Sequence, residues 1–386
     1  MNLDRNLTPL IVEALEELAD QGITQLGSAL EKLFNELMKI EREQILNAAP
    51  YERSEERKGY ANGFKNKMLQ TRFGKIHLEI PQTRDVPFYP SCLEKGERTE
   101  KALKLALAEM YITGVSTRKV KKITEELCGT KISSTQVSRV AKIMDEELEN
   151  FRNRPLGVFQ FVYLDAHYEK VRYCGCVRDL AVLKAVGVNE QGYREILGVS
   201  TSLSEAEVHW RDFLETLLQR GLKGIQLIIS DDHSGLRAAL RGVFPSVPWQ
   251  RCLFHLAQNA QHHAPNYPLK SELAQSIKDI YQAISLEESK ERMKRVVIEY
   301  EKKAPKFCEW LEDNFEEGLG FYKFPRKFWR KIRTVNVVER LNQEIRRRTR
   351  VARLFPSEES CLRLITAVTM DIHEDWVSEK RYITFD

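Results

Sequence analysis

The chain predicts an α/β catalytic core, a mixed sheet flanked by helices. An all-helical insertion interrupts it, and mostly helical N-terminal domains precede it. Three observations predict this class. Between residues 158 and 254, short apolar segments of strand period alternate with segments of helical period. Acidic residues border two of those apolar runs: Asp165 closes Val158-Phe-Gln-Phe-Val-Tyr-Leu164, and Asp231 follows Ile225-Gln-Leu-Ile-Ile229 and Ser230. The 108 residues from Asp231 to Glu339 are too many for a loop. They carry helical stripes at Leu273, Ile277, Ile280 and Tyr281, then Met293, Val296, Val297 and Tyr300.

The bulk properties narrow the class of protein. With 386 residues the chain is long enough for several domains. No apolar stretch approaches the ~18 residues of a membrane span, and Met1-Asn-Leu-Asp-Arg-Asn-Leu7 opens no signal-peptide core. Seven scattered cysteines, an odd number, are no disulfide framework. A reduced, cytoplasmic protein without a membrane partner is expected. The net charge of +4 hides an uneven distribution: twelve Lys/Arg stand against two Glu between Lys323 and Arg353, leaving 48 basic and 54 acidic residues elsewhere. One concentrated basic segment on a mildly acidic body, interleaved with Phe324, Phe328 and Trp329, suits a polyanion.

Residues 1–56 read as an N-terminal helical region, with Leu10, Ile11, Ala14, Leu15 and Leu18 in one stripe and Leu30, Leu33, Phe34, Leu37 and Met38 in a second. Residues 57–97 form a small basic module rich in turns and strands. Glycines punctuate it, Lys75-Ile-His-Leu-Glu-Ile80 alternates with strand period, and Arg57, Lys58 and Lys65 are available for phosphates. Residues 98–154 suggest a helix-turn-helix DNA-binding domain. A helix over 117–127 ends at Cys128-Gly129, and a second over 135–142, capped by Ser133 or Ser134, offers Gln136, Arg139 and Lys142 to a major groove.

The core then begins. Its first part, 155–256, holds strands at 158–165, 181–188 and 193–199. The last two are joined by the hairpin turn Asn189-Glu-Gln-Gly192. A helix over 204–220 has Ser204 and Glu207 as a capping box. The strand running up to Asp231, a helix over 233–241 and a strand at 249–254 follow. Residues 257–330 are the helical insertion, and 331–386 complete the core with the helix carrying Glu339 and C-terminal helices. Three antiparallel strands, a helix, a strand, a helix and a strand match the order of a ribonuclease-H-like fold, which places carboxylates on its first strand, after its fourth and on a later helix.

Asp165, Asp231 and Glu339 are therefore the candidate catalytic and metal-binding carboxylates. Their hard oxygens suit Mg²⁺ or Mn²⁺, with two ions expected. Arg346 and Arg350 follow Glu339 at helical spacing and would grip phosphates beside it. Cys252 and His255 form a candidate structural or active-site pair. Zinc is not expected there, since two ligands are half a site and only Cys174-Gly-Cys176 offers a second half.

The motifs collected along the chain resemble the Mutator-type family of bacterial insertion-sequence transposases, which have an Asp-Asp-Glu site. They are Gly59-Tyr-Ala-Asn-Gly63, Gln70-Thr-Arg-Phe-Gly74, Gly114-Val-Ser-Thr-Arg118, Leu164-Asp-Ala-His-Tyr-Glu-Lys-Val-Arg172, Ser230-Asp-Asp-His-Ser-Gly-Leu236, Trp249-Gln-Arg-Cys-Leu-Phe-His255 and Asn336-Val-Val-Glu-Arg-Leu-Asn342. The resemblance assigns catalysis to Asp165, Asp231 and Glu339. Asp232 departs from the small residue usual in the family and Val335 from a frequent threonine. The resemblance implies a bacterial, nucleoid-associated enzyme that binds the terminal inverted repeats of its element and target DNA. It would cleave and transfer strands with Mg²⁺, and act as a homodimer or larger assembly. Two other readings stay open: a DNA-binding regulator with an idle core, and a ribonuclease-H-like nuclease without strand transfer.

Overall fold

The computed structural model describes residues 26–112, 117–128, 144–350, 353–378 and 380–385. The chain divides into two compact units, Met1–Met144 and Asp145–Asp386. In the first, helix α1 (Leu26–Leu46) packs on a hairpin of β1 (Tyr60–Thr71) and β2 (Gly74–Arg84). The period of two in β2 puts Ile76, Leu78 and Ile80 on one face, where they bury with Met38 and pack against Phe34 of α1. Helices α2 (Lys101–Ile112) and α3 (Thr117–Cys128) share a core of Leu103, Leu107, Ala108 and Val120. The expected second helix at 135–142, with Gln136, Arg139 and Lys142, lies outside the described residues.

The second unit opens with α4 (Asp145–Asn153) and a five-stranded mixed sheet. The strands are β3 (Phe159–Tyr173), β4 (Cys176–Asn189), β5 (Arg194–Ser202), β6 (Leu227–Ser230) and β7 (Trp249–Arg251), in spatial order β5-β4-β3-β6-β7. The first three are antiparallel, and β6 and β7 join parallel to β3. Helices α5 (Glu207–Gln219) and α6 (Ser234–Val243) make the parallel crossovers. Their Trp210, Phe213, Leu217, Leu236 and Leu240 bury against Val162, Leu164, Leu183 and Ala185 on one face of the sheet.

Three expectations need correction. Asp165 does not end its strand: β3 runs eight residues further, to a tight turn at Cys174 and Gly175, whose φ values are 47° and 81°. The charged residues beyond Asp165 still pair, with Lys170 bridging Asp179 of β4 at 2.6 Å, while Phe355 bonds the other edge through Lys170 and Arg172. The 204–220 helix starts only at Glu207, and its N-cap, Ala206, makes no side-chain cap. Ser204 is held outside it, its carbonyl accepting from Ser202 Oγ at 2.7 Å, and Gly235 of α6 packs so closely that a Cβ there would lie 2.3 Å from the Glu205 carbonyl oxygen. The strand at 249–254 stops at Arg251, because Leu253 already opens helix α7 (Leu253–Ala260).

Beyond α7 the described elements up to residue 332 are helical: a 3₁₀ turn (Gln261–His263), α8 (Tyr267–Tyr281), α9 (Leu286–Tyr300), α10 (Pro305–Asn314), two further 3₁₀ turns and α11 (Arg326–Ile332). The chain returns through α12 (Asn336–Thr349), which packs on β3 and β4, and α13 (Glu358–Ser378), which packs on β5. The tail then straps onto the β4–β5 turn, where Tyr382 and Ile383 donate to the Gly192 carbonyl at 2.8 and 3.1 Å. Gly192, at φ 87°, has no room for a side chain, since a Cβ would meet Ile383 O at 1.8 Å.

Candidate active site

Register brings the first two carboxylates together. In the parallel pair β3–β6, Phe161 faces Leu227 and Tyr163 faces Ile229. Two residues further on come Asp165, still on β3, and Asp231, the first residue after β6. The strand end carrying Asp231 is held firmly: Trp249 Nε1 donates to Ser230 Oγ at 2.9 Å, and Cys252 N donates to Ser230 O at 2.7 Å. Burial raises the Asp231 pKa first, and the charge of Asp165 raises it further.

The adjacent Asp232 has a different occupation. It bridges Arg237 at 3.1 Å and Arg251 at 3.2 Å, and both arginines also hold Glu317. Asp232 is thus held between two guanidinium groups, whereas Asp231 feels the charge of Asp165.

Glu339 arrives on the first turn of α12. The segment before it is pinned to the β7–α7 junction: Leu253 N donates to Arg333 O at 3.0 Å, and Val335 N donates to the Cys252 sulfur at 3.4 Å. Burial lifts the Glu339 pKa, and Asp165 adds to the rise. The His255 ring pulls both Glu339 and Asp231 back toward the ionised form. Glu339 Oε1 is buried without a hydrogen-bond partner. Cys252 is thus a buried thiol, its pKa pushed up to about 11 by burial, that positions the approach to α12. Cys174 and Cys176 are exposed at the tip of the β3–β4 hairpin.

Sequence reasoning missed a polar network on Asp165. Lys184 is fully buried and stands directly across from Asp165 on β4. An ammonium has three protons to place, and here each has an acceptor: Asp165 Oδ2 at 3.3 Å, His167 Nδ1 at 2.6 Å and Asn342 Oδ1. Because Nδ1 of His167 faces a pure donor, the ring proton belongs on Nε2, which reaches Glu169 at 3.2 Å. Burial, then the Lys184 charge, lowers the His167 pKa and favours that neutral ring. Thr349 Oγ1 donates to the same Glu169 oxygen at 2.8 Å, and Asn342 Nδ2 donates to Asp165 Oδ2 at 2.7 Å. Glu339, Asn342 and Thr349 are three and seven residues apart and so share one face of α12. The network thereby fastens the helix of Glu339 to the strand of Asp165. The signal was present in the sequence: Lys184 interrupts the apolar run Ala181-Val-Leu-Lys-Ala-Val-Gly-Val188, and a charge so placed needs partners.

The remaining candidates are dispersed. Arg347 and Arg348 are taken by Glu344 at 3.0 Å and Asp371 at 3.2 Å, while Arg346 and Arg350 are exposed. In the first unit Lys58 and Lys65 are exposed, and Arg57 donates to the Glu52 and Gly59 carbonyls at 2.6 and 2.9 Å. Among the described residues, no three His, Cys, Asp or Glu side chains converge closely enough to hold one metal ion. Asp165, Asp231 and Glu339 influence one another electrostatically without sharing a centre.

The sequence pattern described as "Transposase, Mutator family" matches residues 8–379. The chain belongs to the Mutator family of transposases. It is 48% identical to the transposase of insertion sequence element IS406 of Burkholderia multivorans, over 97% of each chain. Against the ISRM5 transposase of Rhizobium meliloti it is 42% identical, covering 94% of this chain and 91% of the relative. Against the IS256 transposase in Tn4001 of Staphylococcus aureus it is 38% identical, over 92% of each. A transposase acts on DNA, and no helix among the described residues is long and apolar enough to cross a membrane.

Proposed function

We propose that this transposase binds the terminal inverted repeats of a bacterial insertion sequence. It cleaves a DNA phosphodiester there and transfers the exposed 3′-hydroxyl into target DNA, using Asp165, Asp231 and Glu339 on a ribonuclease-H-like core. The observation that supports this reading is the β3–β6 register, which, continued two residues past Tyr163 and Ile229, would bring Asp165 level with Asp231, the first residue after β6. The sheet order supports the fold, with an antiparallel trio followed by two parallel strands.

By chemistry the donors suit Mg²⁺ or Mn²⁺, being three hard carboxylates, two of them with raised pKa values, and one buried oxygen of Glu339 without a hydrogen-bond partner. They do not converge on one point in the structure, so holding an ion together would require them to draw closer. Bound there as one or two ions, the metal would supply charge neutralisation and an activated water or hydroxyl. The chain's own residues do the rest. Asn342 and Lys184 orient Asp165, the Ser230 bonds fix Asp231, and Cys252 fixes the start of the Glu339 helix. Arg346 and Arg350 grip phosphates beside the cut. Lys58, Lys65 and the unused donors of Arg57 would meet the DNA backbone, and Gln136, Arg139 and Lys142 the repeat. Holding two element ends calls for a homodimer or larger assembly, working in the cytoplasm on nucleoid DNA.

The test is to incubate the full chain with DNA spanning an element end, a target plasmid and Mg²⁺. Nicked ends and joined products are expected from the wild type, and neither from Asp165→Ala, Asp231→Ala or Glu339→Ala, each still binding the end. Nicks without joined products would make it a nuclease. Cleavage by Asp231→Ala together with a dead Asp232→Ala would move the second ligand to Asp232.

A further inference from the structure

Beside the carboxylates lies a half-open cavity of about 210 Å³ between the start of α7, the end of α8 and the turn into α12. Part of its lining comes from the same two segments, α7 and the turn into α12, that carry His255 and Glu339. Phe254 adjoins His255, with the two rings 5.5 Å apart edge to face, and Asn336 lies three residues before Glu339 on α12. The base is apolar, built from Leu253, Ile277 and the buried ring of Tyr281. Phe254 lines the mouth with 48% of its surface exposed, an unusual position for a phenyl ring at the opening of a helix. Lys278 and Arg333 border the opening, and neither is ion-paired to a described carboxylate. Asn336 brings an amide that can both donate and accept.

We infer that this cavity receives one unstacked nucleobase of the DNA strand next to the scissile phosphate. This rests on the proposed reading of the carboxylates as a DNA-cutting centre. The space is too small for a stacked base pair and too apolar in its depth for a phosphate. A single flat heterocycle satisfies the aromatic mouth by stacking and the Asn336 amide by its polar edge. The two cations at the opening match the phosphates on either side of a base turned inward. Pulling one base out of the helix also gives the strand a fixed axial position, so the cavity would set which phosphate faces Asp165 and Asp231.

The test uses the full-length protein and duplexes of an element end running into flanking DNA. Each carries one 2-aminopurine within three nucleotides of the cut, and no divalent ion is present. Binding is expected to raise the fluorescence at one position and leave the others flat. Phe254→Ala should bind the same duplex without that rise and cut it roughly 5- to 150-fold more slowly in Mg²⁺, the range expected for loss of one aromatic stacking contact. Phe254→Tyr should restore both. A wild type that cuts while no position brightens would overturn the inference and leave the cleavage reading standing, as would Phe254→Ala cutting at the wild-type rate. If Phe254→Ala alters only the assembly state, the cavity holds protein and the inference falls. If the wild type neither binds nor cuts the element end, both readings fall together.

Discussion

The two faces of strand β3 are built on different physics. On one face Val162 and Leu164 disappear into an apolar layer against Trp210, Leu214 and Leu236, held by packing alone even at the buried Trp210 N–H, which has no hydrogen-bond partner. On the other face, Phe161 meets Phe324, Phe328 and Phe385. Two steps on, the same row turns into Asp165, His167 and Glu169 against Lys184. The apolar face gains free energy in proportion to area and is indifferent to small changes in orientation. The polar face holds its groups through distances and donor counts, so a single missing partner leaves the others exposed to the full cost of burial. One strand thus carries both the stability of the core and the orientation of its chemistry, separated only by the direction of alternate side chains.

The comparison breaks most sharply at Lys184. Lys184→Met leaves Asp165 in a low-dielectric setting without its cation and strips a donor from His167 and Asn342. A loss of about 3–5 kcal/mol is expected, the size for removing one partner of a buried pair. Adding Asp165→Leu to Lys184→Met should recover much of it, whereas any two unrelated losses would add. On the opposite face Leu164→Ala should cost about 2–5 kcal/mol through an empty volume, with no second change on the polar face able to recover it. Urea or thermal unfolding of the wild type, of Lys184→Met and Leu164→Ala, and of each combined with Asp165→Leu measures this. Equal recovery in both backgrounds would mean that the faces do not differ as described.

A smaller effect concerns pH. Asp231 and Glu339 have folded-state pKa values raised above their unfolded ones, chiefly by burial. The folded state therefore binds these protons more tightly, and its stability falls as pH rises from the unfolded carboxylate values near ~4 through the raised values, then stays level. Asp231→Asn removes its share of that fall. Melting in EDTA should show the variant more stable than wild type at pH 8 and equal to it at the acid end. Mg²⁺ should narrow the gap at pH 8 by stabilising the wild type. A variant less stable than wild type at pH 8 would contradict the sign.

Much of this arrangement was legible in the sequence, and its gaps have physical reasons. Asp165 and Asp231 could be picked out because each borders an apolar run, and the helices between β7 and Glu339 because their stripes repeat at helical spacing. The reach of β3 past Asp165 was not, since residues 168–173 are charged or aromatic apart from Val171 and become strand through their partners on β4 and at Phe355. Ser204 looks like a cap because the local pattern is correct, but the packing of Gly235 against Glu205 keeps that turn out of the helix. The ion pairs of Asp232 could not be read from sequence, since Arg237 and Arg251 lie 5 and 19 residues away and meet it only in three dimensions. Lys184 was visible as a lone charge in an apolar strand, but its three acceptors come from two segments distant in sequence, Asp165 and His167 on β3 and Asn342 on α12.

The smallest expected effect separates the arginines of α12. Four stand in five positions, but two are spent on the protein: Arg347 on Glu344 in its own helix and Arg348 on Asp371 of α13. Arg346 lies seven residues from Glu339 and Arg350 eleven, spacings that return to nearly the same helix face. Arg346 is also near enough to Lys184 to depress its pKa, which places its charge beside the network on Asp165. If Arg346 and Arg350 hold phosphates, replacing either with glutamine removes one released counterion. The log–log salt dependence of DNA binding should then flatten by about 0.9 for each. Repeat and random DNA should respond alike, since phosphate contacts carry no sequence. Arg347→Gln should leave the slope unchanged and cost at most about 0.5 kcal/mol of stability, the worth of an exposed helix pair. Binding measured across a salt series on both DNAs reads all of these. A slope lost at Arg347 rather than Arg346 would place the DNA on the other side of the helix, away from Asp165.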